Sequence, residues 1–258
     1  MTSAPATNTK RTPARRRPKA APVAPAPAQP VTAWLCGLLQ ANDSLYPTGS
    51  YAHSYGLEGL VQDGVVHDRV TLRHFLQLSV LPSLRHTDLP LAAHAWAALA
   101  EPDWNRVGHL CVLSSALRTP REARAASENI GRQRAELLAT LRVAPLAVEY
   151  SRRAATHGWP ASAAVSAALE GRVLGAPLDA VLAGVCYATL AALLSAAMKL
   201  LRLGQNAAQS LLTEMLLEVP AVITAATAVP LDAIGWYNPW LDIAASRHES
   251  ADARMFIS

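Results

Sequence analysis

The sequence predicts an all-α protein: a single-domain multi-helix bundle behind a disordered N-terminal extension. Three observations lead there. Ala and Leu supply most of a 51% hydrophobic fraction while aromatics make up only 5%, a mixture that favours helices over strands. Apolar residues recur at helical spacing, as in Leu72, Phe75, Leu76 and Val80, or Trp104, Val107, Leu110 and Leu117, with no convincing period-2 run between them. Prolines punctuate the chain at Pro82, Pro90, Pro120, Pro145, Pro177, Pro220 and Pro239. Since proline suits a first turn and breaks a helix interior, they are expected to mark helix boundaries.

Residues 1–30 are rich in Ala and Pro and carry six of the 23 basic residues and no acid. Such a segment cannot supply a core and is expected to be disordered. It has no apolar stretch of the kind an export signal needs, so a cytoplasmic protein is expected. Its charges are not interleaved with aromatics that would stack on bases, so nucleic acid is not expected as a partner. Beyond it, 17 basic residues face 19 acids, so the remaining chain, residues 31–258, is slightly acidic. The chain's length allows one large domain or two small ones, and a single helical domain is expected.

The stretch Pro47 to Glu58, "PTGSYAHSYGLE", reads as a loop before a helix. Gly49 and Gly56 allow the backbone to turn. Tyr51, His53 and Tyr55 either present amphipathic area to a partner or pin the loop to its own core. Further on, "RHTDLPLAAH" holds His86, Asp88 and His94, with Asp88 read as a helix cap. "TPRE" at Thr119 to Glu122 is the pattern of a capping box opening a helix. That helix carries Arg121, Arg124, Arg132 and Arg134, with Arg118 just before it, read either as a solvated face or as a partner surface.

Residues 180–198 form a long apolar stretch without a charge and nearly reach the length of a membrane span. Their Ala, Gly, Thr and Ser content favours instead a central helix buried on all sides, with no membrane involved. In the next helix Gln205, Ala208, Gln209 and Leu212 share a face, so the two amides are either satisfied in the core or set a helix contact or dimer. Asn238 and Pro239 are expected to cap and open the last helix. The terminal residues Arg254, Met255, Phe256 and Ile257 join a cation to three apolar side chains, a composition suited to docking into a groove.

The catalytic inventory is thin. None of the eight His residues lies three or four from another, and Cys36, Cys111 and Cys186 are solitary, each read as a small buried apolar residue in a reducing compartment. There is no phosphate loop, nucleophile elbow or dinucleotide fingerprint. A protein that is not an enzyme is expected. The two alternatives are a metal-dependent hydrolase built on His86, Asp88 and His94 and a membrane-associated helical protein built around residues 180–198.

Four segments together resemble one family. "PTGSYAHSYGLE" is similar to the N-terminal signature of the urease accessory protein UreF family at Pro47, Gly49, Ser54, Gly56, Leu57 and Glu58. "RTPREARAASENIGRQ" resembles its Thr-x-Glu-x-Arg segment at Thr119, Glu122 and Arg124, and "LGQNAAQSLL" its Gly-Gln helix at Gly204, Gln205 and Gln209. "RHESADARMFIS" resembles its C-terminal pattern at His248, Arg254, Phe256 and Ser258. Thr48, Ser50 and Ala208 depart from the usual residues.

The resemblance implies a UreF-like all-helical fold and a non-catalytic scaffold in urease maturation. It would bridge UreD (also called UreH) and the GTPase UreG so that nickel reaches apo-urease, and would be dimeric in the complex. GTP would be used by UreG, nickel would pass through the complex, and no cofactor would be held stably by this chain. Carried onto this sequence, the partner-binding residues are Gly49, Tyr51, His53, Tyr55, Glu58, Arg124, Arg247, His248, Arg254, Met255, Phe256 and Ser258. Lys199, Gln205 and Gln209 are the expected dimer or core-helix contacts, and no catalytic or metal-binding residue is implied. The terminal residues from Arg254 onward are expected to become ordered on binding UreD.

Overall fold

A computed structural model describes residues 1, 31–50, 53–142, 144–248 and 254–257. The expectation of disorder for residues 1–30 therefore lies outside the described residues, apart from Met1. The helices are α1 (Val31–Ala41), α2 (Leu57–Gln62), α3 (Arg69–Phe75), α4 (Leu81–Ser83), α5 (Leu89–Ala98), α6 (Trp104–Ala116), α7 (Arg121–Arg142), α8 (Pro145–His157), α9 (Ala163–Leu174), α10 (Leu178–Leu200), α11 (Gln205–Thr227) and α12 (Pro239–His248). No strand occurs among the described residues, as the composition predicts.

Local signals explain most helix starts. Asp68 accepts from the Thr71 amide at 2.8 Å and opens α3, Asp103 accepts from Arg106 and opens α6, and Ser162 accepts from Val165 and opens α9. Asn238 caps α12 as expected, its Oδ1 accepting from the Leu241 amide, while its amide nitrogen reaches Ser79 Oγ at 3.0 Å. Pro145 and Pro239 occupy the first turns of α8 and α12.

Proline fails as a boundary marker at three places. The chain is helical without interruption from Arg69 to Ala98, running through Pro82 and Pro90 by way of π-helical stretches at Leu76–Val80 and Leu84–Asp88. A proline lacks the N–H that would bond four residues back. The carbonyl freed by Pro90 is that of His86, and it accepts from the Gly235 amide at 2.8 Å. Pro220 lies inside α11.

The central helix is α9, not the apolar stretch 180–198. Every residue from Ala164 to Gly171 is buried, beneath α5 on one side and α7 on the other. In α10, Tyr187 and Met198 reach solvent, because α10 lies at the flank and packs on α11, α9 and α5. Both α10 and α11 are long and apolar enough to cross a membrane, so the second such stretch lies in α11. About half of α10's most apolar window and 39% of α11's is buried against the rest of the chain. Cys111 and Cys186 are buried as expected, whereas Cys36 is exposed on α1.

Candidate functional site

The loop ahead of α2 ends in two successive left-handed residues, Tyr55 (φ 54°) and Gly56 (φ 83°). A left-handed tyrosine costs on the order of 1–2 kcal/mol, so its surroundings must hold it there. Gly56 serves a second need. A Cβ there would lie 2.7 Å from Leu241 Cδ1, and one on Gly59 would lie 2.8 Å from the Ala244 carbonyl oxygen. The two glycines thus let α2 lie directly against α12.

That close approach brings Glu58 to His248. Glu58 is 3% exposed and His248 2%. His248 Nε2 lies 2.9 Å from Glu58 Oε2, and its Nδ1 lies 3.0 Å from Oε2 of Glu122, at the start of α7. An ionised carboxylate can only accept, so the ring satisfies both carboxylates when each nitrogen carries a proton. Glu58 also accepts from the amides of Met255 at 2.8 Å and Phe256 at 3.0 Å, and Arg254 donates to Glu122 Oε1 at 2.9 Å. Burial pushes Glu58 up, but the hydrogen bonds from Met255, His248 and Phe256 outweigh it and hold the carboxyl below its ordinary range. The Phe256 ring is buried, with Lys199 Nζ 5.3 Å from its centre.

Three of the four motif segments therefore meet at one place: the loop and α2, the start of α7, and the C-terminal tail. Glu122 turns its two oxygens to His248 and Arg254. Lys199, expected at a dimer or core-helix contact, lies over the tail instead. Gln205 and Gln209 are exposed, so they are not buried core amides.

Several expected partner-binding residues are interior. His53, Glu58, His248 and Phe256 are buried within this chain. Burial pushes the His53 ring down, against the opposing influence of Glu122. His53 and Tyr55 meet edge to face at 6.5 Å, and Tyr55 packs against the main core. Arg124 donates to the Arg118 carbonyl at 3.1 Å and closes the end of α6. Gly49, Arg247, Arg254 and Met255 are exposed, and Arg247 lies 4.0 Å from Asp63. Tyr51 and Ser258 lie outside the described residues.

Beside this cluster a cavity of about 250 Å³ is bordered by Thr48, Ser50, Tyr55, Thr87, Asp88 and Arg118 among others. Burial, and next the nearby Asp88 carboxylate, push the Tyr55 phenol up to about 12. Asp88 is not a cap: it pairs with Arg118, which also donates to Ser114. The hydrolase constellation does not assemble, since His94 bonds the Val229 carbonyl and faces Arg106. No three His, Cys, Asp or Glu side chains converge on a metal position among the described residues.

The arginines of α7 divide: Arg121 and Arg132 are exposed, whereas Arg124 and Arg134 are half-buried. Arg134 donates to Glu170 Oε2 at 3.1 Å and to the Ala41 carbonyl at 3.0 Å, while the Tyr46 hydroxyl donates to Glu170 Oε1 at 2.9 Å. Burial raises Glu170, partly offset by Arg134. Sequence reasoning missed the Asp88–Arg118 and Arg134–Glu170 pairs, because nothing in local spacing joins residues 30 and 36 positions apart.

Residues 66–216 match the family model described as UreF. This chain belongs to the UreF family. It is 30% identical over 220 residues to the urease accessory protein UreF of Corynebacterium efficiens, covering 85% of this chain and 95% of that protein. It is 33% identical over 226 residues to the Arthrobacter sp. urease accessory protein UreF, covering 86% of this chain and 96% of that one. The Bacillus sp. protein of the same name is 25% identical over 224 residues. The stretch that matches the UreF family model contains α3 to α10, the first half of α11 and Glu122. Glu58, His248 and the tail flank it on either side, joined across the match by the contacts above.

Proposed function

We propose that this chain is a non-catalytic scaffold of urease maturation, bridging UreD and UreG so that nickel reaches apo-urease. Membership of the UreF family supports the process. The observation that carries the scaffold reading is how its charged side chains are used. Glu58, Glu122, His248 and Arg254 neutralise one another in holding the tail, and none is left as an acid, base or nucleophile facing an open site.

Several large apolar side chains face outward near the tail. Met255 and Ile257 are 60% and 63% exposed on the docked tail, and Trp240 is 80% exposed on α12. Exposed aromatic and Met side chains suit a protein interface. In this reading UreD takes the tail face, Gln205 and Gln209 contribute to a homodimer within the complex, and UreG, not this chain, uses GTP. The tail lies against its own body before any partner arrives, so UreD binding would bury it further instead of ordering it. Nickel is cargo, no cofactor stays on this chain, and the protein works in the cytoplasm without a membrane or nucleic acid.

Urease expressed with its accessory proteins, with and without this chain, tests the proposal through metal analysis of the purified enzyme. At least tenfold less nickel in urease made without the chain is expected. Equal nickel content in both preparations would reject it.

A further inference from the structure

The tail is held by contacts that read as recognition of a peptide. One carboxylate, Glu58, receives two successive main-chain amides, those of Met255 and Phe256. Successive amides converge on one anion only where the chain bends, and the backbone bends at these two residues. A second carboxylate, Glu122, receives the guanidinium of Arg254. His248 bridges the two carboxylates and fixes their separation.

The side chains sort in the same way. Phe256 is 6% exposed and lies beneath Lys199, while Met255 and Ile257 on either side of it face solvent. Among the described residues of the tail, the arginine, the aromatic ring and two amides are read, and none of these contacts requires that the segment be covalently continuous with α12.

We infer that the cleft between α2, α7 and α12 is a peptide-binding site for a bent Arg-x-Phe segment, which the chain's own tail fills in cis. A separate peptide of this form enters the cleft when the tail is absent. The inference stands on contacts within this chain and holds whether or not the scaffold reading does.

The test uses a fluorescein-labelled peptide of residues 250–258 and fluorescence anisotropy. The receptor is the chain lacking residues 254–258 and, in case that deletion does not fold, the full-length R254A/F256A variant. Circular dichroism establishes which of the two retains its helical content. Saturable binding to the emptied chain is expected, at least tenfold tighter than to the intact protein, whose own tail competes. A peptide carrying Phe256→Ala should bind at least tenfold more weakly, and so should the normal peptide on an emptied chain carrying Glu58→Gln. The inference is overturned if a folded, emptied chain binds the peptide no better than the intact protein. It is equally overturned if the Phe256→Ala peptide binds as well as the original.

Discussion

Glu58 is a buried carboxylate that accepts three hydrogen bonds, from two amides and an imidazole. Hydrogen bonds to a charged group contribute about 1.5–3 kcal/mol each, and a donor left without its acceptor costs about 1–3 kcal/mol. Glu58→Gln replaces one acceptor oxygen by a donor that faces an amide or the ring. A loss of about 2–4 kcal/mol is therefore expected, read from the shift in urea midpoint at unchanged slope. The pH dependence has a definite sign. The folded carboxyl titrates below its ordinary value of 4.5, so its contribution is present above that value and is lost as pH falls through the folded value. Wild-type stability measured by urea titration should thus fall more steeply below about pH 4.5 than that of Glu58→Gln. At Tyr55 the left-handed backbone was not legible in the sequence, since only the glycine after it signals a turn.

At the scale of elements, the α2–α12 contact depends on the absence of two Cβ atoms. Gly59→Ala sets a methyl 2.8 Å from a backbone oxygen that cannot move alone, so α12 must shift. Overpacking of this kind costs about 1–3 kcal/mol and should loosen the tail as well, seen as faster hydrogen exchange at Met255 and Phe256. Gly49→Ala is the contrast: nothing lies within 4 Å of the new Cβ and only the φ of +80° opposes it, so about 1 kcal/mol is expected with no effect on the tail. The Arg134–Glu170 pair ties α7 to α9 with side chains only 12% and 4% exposed. Arg134→Ala strands a buried carboxyl and should cost about 3–5 kcal/mol, whereas the Arg134→Met/Glu170→Met double variant should recover most of that loss. Helix identity was legible because Ala- and Leu-rich periodicity is a local property. The path through Pro82, Pro90 and Pro220 was not, because it depends on how freed carbonyls are satisfied, and for His86 the donor is Gly235, far along the chain.

Across the whole molecule, three of the segments that carry the resemblance meet at one place. His53, Glu58, His248 and Phe256, read as partner contacts, are buried within this chain, and Glu58, braced by His248, holds the tail. Trp240, Met255 and Ile257 are exposed, and of these the sequence singled out Met255 for a partner and Ile257 for groove docking, but not Trp240. Exposure is set by tertiary packing, which no local pattern reports. We propose that this UreF-family chain works by assembly. The most direct test is size-exclusion chromatography of the soluble fraction after co-expression with UreD and UreG. The account predicts that the three chains elute together as one complex, earlier than this chain alone. Elution of this chain at its own position, with both partners present and soluble elsewhere in the profile, would contradict it.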